Sequence, residues 1–307
     1  MKVYRSLEES SSDQERGIAL GVFDGLHLGH RHILQELMLV CKEKSLRPAV
    51  FTFLSPFGSE ANRLLIEIEE KCAVLEAIGV EDVYLADMTD DFRSISALEF
   101  LQDILQNKLK VKSLVVGEDA RFGAGARGDI DFLADYADKS DLTYTVSSDV
   151  LFRGEKISSS RIRNCLAEGE LESVTAMLTQ PYKLGGVAEY DHENDWCPGI
   201  TTAKFPYPPK RARLRKGVYA TVAHCAAGSF RAISNIGMSP ALEAETSLRV
   251  ETYLYDFAGS LSGEKIAVEF LAFIRPERPF DSGEDLSKAV QEDLAYVSKW
   301  HRSHMVK

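Results

Sequence analysis

The sequence is poor in cysteine. Five occur in 307 residues, at positions 41, 72, 165, 197 and 225, an odd number with no two closer than 28 positions. No Cys-x-x-Cys pair or mixed Cys/His cluster is present, so neither a disulfide framework nor a structural zinc site is indicated, and a reducing cytoplasm is the expected compartment. Long apolar runs are also lacking. No stretch approaches the ~18 uncharged apolar residues of a membrane span, and the opening segment MKVYRSLEESSSDQERG has no apolar core of the signal-peptide kind. Basic residues are in deficit, with Lys+Arg 36 against Asp+Glu 47 and a net charge of −11. That balance argues against nucleic acid or an anionic membrane as a partner, but a local anion site of backbone N–H groups and a few cations remains open. Glycine (21) and proline (10) are too few for a collagen-like or linker-dominated chain. What remains is 45% hydrophobic and 27% charged, an ordinary globular composition, and the length suggests about two domains. Oligomeric state is not legible.

The two halves read differently. In residues 1–180, strand-like segments at Gly17–Val22, Pro48–Phe53, Val83–Ala86 and Leu114–Val116 alternate with helical ones. The helix expected over Glu67–Ile78 puts Cys72, Leu75 and Ile78 on one face and Gly79 just past its end. The helix expected over Ser96–Lys108 opens with Ser96 and Glu99 in capping-box spacing. Further helices are expected from Ser159 to Leu166 and from Leu171 to Leu178. Strands joined by helices imply right-handed crossovers and a mostly parallel sheet, hence an α/β class. From residue 183 to 307 strand signals dominate: Gly217–Val222, Phe230–Ile236, Leu248–Phe257 and Lys265–Ile274. Val250, Thr252 and Leu254 alternate with Glu251, Tyr253 and Tyr255, as on a sheet with two different faces. Leu286, Val290, Leu294 and Val297 mark a terminal amphipathic helix. A β-barrel closed by a helix is expected for this half.

The first chemical motif is Leu-Gly-Val-Phe-Asp-Gly-Leu-His-Leu-Gly-His over residues 20–30. A strand ends, a glycine turn follows and a helix begins, so unpaired N–H groups and a positive dipole end face one point. His27 and His30 share the first helical turn. Two imidazoles there can donate to a phosphate as it gains charge; the plainer alternative is capping and packing. A second cluster, Ser158-Ser159-Ser160 with Arg161 and Arg163, offers hydroxyls, N–H groups and guanidinium forks to phosphate, or simply a helix cap with solvated arginines. The basic run Lys210-Arg211-Ala212-Arg213-Leu214-Arg215-Lys216 reads as a solvated loop.

Gly21-Val22-Phe23-Asp24-Gly25-Leu26-His27-Leu28-Gly29-His30 resembles the HxGH-type nucleotidyltransferase signature, in the form found in prokaryotic bifunctional riboflavin kinase/FAD synthetases. Two further segments agree: Val115–Gly123 is similar to that family's VVGxDFxFG, and Ile157–Arg163 to its ISSTxIR, with Ser160 for Thr. The resemblance implies a Rossmann-like nucleotidyltransferase domain over 1–180 and a riboflavin-kinase-like β-barrel over 183–307. It implies adenylyl transfer from ATP to FMN, giving FAD and pyrophosphate with Mg²⁺, and small molecules (ATP, FMN and riboflavin) as partners. By the same resemblance His27 and His30 are catalytic. Gly21, Phe23, Asp24, Gly29, Asp119, Ser159, Ser160 and Arg163 are expected to bind ATP or phosphate. The family's TFDPHP segment is Thr52-Phe53-Leu54-Ser55-Pro56-Phe57 here, without the Asp and His, which leaves Phe53 and Phe57 as the flavin-stacking candidates.

In the second half Gly217-Val218-Tyr219-Ala220 resembles the family's GVYA strand, and Ser234–Pro240 its NIGxxP segment. Leu248–Phe257 resembles the strand bearing the catalytic glutamate, which makes Glu251 the expected general base for the riboflavin 5′-hydroxyl. The ATP-side motif GFPTAN departs: Gly199-Ile200-Thr201-Thr202-Ala203-Lys204 carries Thr for Pro and Lys for Asn, after a loop with no glycine. Thr202 is the remaining metal-ligand candidate, while Lys204 places an ammonium where a cation is expected. Three readings follow. One is an FAD-forming enzyme with optional riboflavin phosphorylation; another is a flavin- or nucleotide-binding regulator whose catalysis has lapsed. The third is adenylylation of another phosphate-bearing substrate.

Overall fold

Five parallel pairings join the six strands of the first sheet. A computed structural model describes residues 1–7, 14–54, 63–189, 201–238 and 248–304 of the chain. Phe57, residues 190–200 and Ser239-Pro240 lie outside the described residues. The chain divides into two units, Met1–Ser159 and Ser160–Lys307. The helices Ser159–Glu168 and Leu171–Leu178 therefore group, but for Ser159, with the second unit.

In the first unit the strands of this sheet are β1 (Lys2–Tyr4), β2 (Arg16–Leu20), β3 (Arg47–Phe53), β4 (Asp82–Ala86), β5 (Val111–Gly117) and β6 (Thr143–Ser147), in the spatial order β1-β4-β3-β2-β5-β6, followed by a separate antiparallel pair, β7 (Leu151–Phe152) and β8 (Glu155–Lys156). Burial of β2 and β4 is continuous, as a parallel sheet covered on both faces requires. The pleat sorts their side chains into two cores. Ile18, Leu20, Ala49, Phe51, Tyr84, Leu114 and Val116 face one side, with Phe100, Leu101 and Leu105. Ala19, Val50, Val83, Leu85 and Val115 face the other, with Leu34 and Leu37 of α1 (Leu28–Lys44) and Leu75 of α2 (Ile68–Ile78). Gly79 ends α2 with φ 105°, a conformation that favours glycine. Both bonds of the Ser96/Glu99 capping box form. The helix it opens is a correction to the sequence reading: after one α turn, Phe100–Lys108 runs as a π-helix, with Phe100, Leu101, Ile104 and Leu105 all buried.

At the strands' N-terminal end Asp82 is fully buried between two guanidiniums. Arg16, also fully buried, donates from Nε at 3.0 Å and also reaches the Leu109 carbonyl. Arg47 makes a two-point contact at 2.8 and 3.0 Å. The sequence reading omitted β1 and β6, edge strands too short or too polar to stand out; β1 is fixed where Tyr4 stacks on Tyr84 at 4.9 Å.

In the second unit, β9 (Tyr182–Val187), β10 (Thr201–Pro206), β11 (Gly217–Cys225), β12 (Gly228–Met238), β13 (Leu248–Leu254) and β14 (Lys265–Pro276) form an antiparallel sheet, ordered β10-β13-β12-β11-β14-β9. A bridge between Glu189 and Lys204 brings its two edges together, as in a barrel. The burial of β13 alternates as its sequence predicts, with Val250, Thr252 and Leu254 inside. The helix Gly283–His304 closes this unit, packing Leu294 and Val297 on Val218, Ala220 and Ile233. The basic run is only partly the solvated loop expected. Arg211 is 3% exposed, lies over the Tyr182 ring at 5.1 Å and donates to the Lys183 carbonyl; Arg213 covers Tyr207. Tyr182, distant in sequence, and Tyr207, close by in the chain, supply the pairing. Among the described residues no helix is long and apolar enough to cross a membrane.

Candidate functional site

The loop between β2 and α1 is shaped by three positive-φ residues, Phe23 (51°), Gly25 (84°) and Leu26 (43°). Phe23 and Leu26 meet that strain through burial, being 0% and 1% exposed. Gly21 leaves space for the Phe23 ring, whose atoms would lie 3.2 Å from an added Cβ. The loop is tied at three points. Asp24 accepts the Leu65 N–H at 2.9 Å; its own carbonyl accepts the Ser159 hydroxyl at 2.9 Å; the Val22 carbonyl accepts from Thr52 Oγ1 at 2.8 Å and from Lys71 Nζ at 2.9 Å.

His27 is the N-cap of α1, accepting the His30 N–H on Nδ1 at 3.3 Å. Capping and function thus coincide in one ring: with Nδ1 an acceptor, the proton sits on Nε2. The two imidazoles stack with centroids 3.6 Å apart, and Phe23 meets His30 edge-on at 5.2 Å. Gly29 permits this, because a Cβ there would press the His27 ring at 3.2 Å. Burial lowers the His27 pKa to about 4, against its backbone hydrogen bond and with help from the Lys156 charge. Burial first, then the neighbouring His27 and Lys71 charges, lowers that of His30, whose Nδ1 is buried without a partner. Both rings are neutral at pH 7. The N–H groups of Leu28 and Gly29, at the mouth of a 17-residue helix, have no partner among the described residues.

His27, Gly29 and His30 line a cavity of about 930 Å³ within the first unit. Gly21, Phe23, His27, Gly29, His30, Asp119, Ser159 and Phe53 are brought together there. Asp24 is not: it is 1% exposed, with one carboxylate oxygen on Leu65 N–H, beneath the loop. Ser160 and Arg163 belong to the second unit. Asp119 and Asp149, at the cavity's edge, both accept from Lys156 Nζ, at 2.9 and 2.7 Å. Phe92, Phe100 and Phe122 join Phe53 in an aromatic wall. Sequence reasoning missed Phe92, Phe100, Lys156 and Lys71. Lys71 carried a signal, since it lies four residues before Leu75 on the helix's inward face.

In the second unit Thr202 and Lys204 share one face of β10. Lys204 lies opposite Glu251 in register, its Nζ 3.8 Å from Oε1, with both side chains less than a third exposed. The expected base therefore faces a fixed ammonium.

The cavity is lined both by donors for an anion and by flat apolar surface. The chain matches a family model described as FAD synthetase over residues 9–161, and one described as riboflavin kinase over 178–301. It is 31% identical over 301 residues to a bifunctional riboflavin kinase/FMN adenylyltransferase of Escherichia coli, covering 95% of this chain and 96% of that protein. A protein of the same description from Buchnera aphidicola is 28% identical over 311 residues, covering 98% and 99%. A crystal structure described as a macrolide-efflux protein from Streptococcus pneumoniae shares the fold, with TM-score 0.85, 24% identity, and 97% and 98% of the two chains covered. With the histidine loop, the aromatic cavity and the barrel in place, the chain belongs to the family of bifunctional riboflavin kinases/FMN adenylyltransferases.

Proposed function

We propose that the first unit transfers the adenylyl group of ATP to FMN. The observation that carries this is the stacked, neutral His27/His30 pair at the N-terminus of α1, lining a cavity that also has an aromatic wall. An FMN phosphate oxygen attacks the α-phosphorus of ATP, the bond to the bridging oxygen breaks, and pyrophosphate leaves. The attacking phosphate is already anionic, so positioning and charge stabilisation supply the rate rather than a protein nucleophile. His27 donates from Nε2 to the phosphate, the free N–H group of Gly29 adds to it, and His30 supports it from behind. Gly21 and Phe23 shape the triphosphate turn, Ser159 takes the pyrophosphate end, and Asp119 the nucleoside. Phe53 stacks on the isoalloxazine ring. Asp24 acts by holding the loop.

No three His, Cys, Asp or Glu side chains among the described residues form a metal cluster, and both cavity carboxylates are held by Lys156. Such a donor set would fit a Mg²⁺ that enters on the nucleotide, and the ion would supply charge neutralisation to the leaving pyrophosphate. The residues of the second unit fit a divalent cation poorly, since Thr202 shares its strand face with Lys204. That ion pair favours a second reading for this unit, a flavin-binding module whose riboflavin phosphorylation by Glu251 has lapsed. The substrates and the reducing chemistry of the thiols suit the cytoplasm.

Chromatography of flavins after incubation with ATP and Mg²⁺ tests both units. FAD from FMN with riboflavin untouched is the expected result. FMN or FAD from riboflavin would show a working second unit, and no product from FMN would remove the adenylyltransferase reading.

A further inference from the structure

Lys71 is 2% exposed, and no carboxylate pairs with it among the described residues. Burying an ammonium this way is costly, and burial lowers its pKa, with Asp24 opposing at longer range. Its hydrogen-bond partners are the Val22 carbonyl at 2.9 Å and, more weakly, Thr52 Oγ1 at 3.5 Å. Thr52, itself fully buried, donates to the same carbonyl. Two donors from two elements, α2 and β3, thus converge on one oxygen in the loop that leads to His27.

The direction of that oxygen matters. A trans peptide is planar, so the Val22 carbonyl and the Phe23 N–H point in opposite directions. Val22 and Phe23 line the cavity, whereas Thr52 and Lys71 do not. The Phe23 N–H has no hydrogen-bond partner among the described residues. Phe23 also holds a positive φ of 51° and meets the His30 ring.

We infer that Lys71, with Thr52, is a positioning residue for adenylyl transfer: it draws the Val22 carbonyl away from the cavity, so that the Phe23 N–H is presented to the phosphate. This rests on the adenylyltransferase reading. Lys71 touches neither substrate; it acts through one peptide plane and the ring beside it. A neutral donor would satisfy the oxygen at lower cost, but a charge-assisted bond is about twice as strong and holds the plane more firmly.

The test is steady-state FAD formation from FMN, ATP and Mg²⁺ by the full chain. Lys71→Met is expected to lower kcat by about 10- to 100-fold, the scale of a small misplacement of reacting groups, with KM for ATP and FMN little changed. Lys71→Arg keeps a cation in reach and is expected to recover most of the loss. Thr52→Val removes the second donor at nearly constant volume, is expected to fold, and should lower kcat by less. A Lys71→Met enzyme with wild-type kcat overturns the inference, as does a loss confined to KM or one that Lys71→Arg does not rescue. If Lys71→Met fails to fold, an unchanged kcat in Thr52→Val overturns it instead. A wild-type chain that makes no FAD overturns the reaction reading and this inference with it; an active wild type beside an active Lys71→Met overturns the positioning role alone.

Discussion

The two units treat charge at their candidate sites in opposite ways. In the first, neutral imidazoles and free N–H donors face the cavity beside Arg93, Arg121 and Lys156, and the lining carboxylates are taken by Lys156. In the second, Glu251 lies across from Lys204, and an ammonium shares the strand face with Thr202. A site waiting for a polyanion profits from donors without counterions. A site that must gather a base, a metal and ATP is hindered by a built-in cation. Both family models match, so the difference lies in a few side chains on intact folds.

The comparison breaks most sharply at the histidines. His27→Ala or His30→Ala is expected to lower FAD formation about 100- to 1000-fold, the usual loss on removing one stabilising donor. Melting should shift little for His30→Ala and by the ~1 kcal/mol of a lost helix cap for His27→Ala. Equal turnover in both variants and wild type would remove the first half of the contrast. Charge buried away from the site should matter for folding alone. Asp82→Asn leaves Arg16 without its counterion, and denaturant unfolding should show a loss of ~3 kcal/mol or more. FAD formation by the folded fraction should be unchanged.

Lys204→Asn sharpens the second half. Riboflavin phosphorylation should rise roughly fivefold, the scale of an ion pair of ~1 kcal/mol; chromatography showing no rise would mean that Lys204 is not what holds the second unit back. A further effect concerns acid. The folded His27 value of about 4 lies below the ordinary 6.5, so the unfolded chain takes up a proton first as pH falls. Stability is then lost between about pH 6.5 and pH 4. His301 in the second unit, also lowered by burial, adds a slope of the same sign. Melting temperatures from pH 7.5 to 5 should flatten in His27→Gln, and a slope unchanged in that variant would deny the burial effect.

Most of the architecture was legible because it follows from short-range rules. The helix ends at Gly79 and Ser96, the alternation on β13 and the strand–glycine–helix junction at residues 20–30 each need only neighbouring residues to be understood. The cavity's aromatic wall was not. Phe53, Phe92, Phe100 and Phe122 come from four separate segments, and nothing in any one of them says that it faces the others. Arg211 and Lys71 were misread or overlooked for a related reason. A charged side chain looks like a solvated one until a carbonyl or ring far along the chain is found beside it. The π-register of Phe100–Lys108 likewise leaves no mark in the amphipathic spacing.

The hydrogen bond from the His30 N–H to His27 Nδ1 has one more consequence. Many functional histidines have their tautomer chosen by a carboxylate, which brings a full negative charge next to the reacting group. Here the helix itself makes that choice, with a neutral backbone donor in its first turn. A triphosphate approaching Nε2 therefore meets an oriented ring with no anion behind it, and the folding of α1 and the readiness of the site become one event.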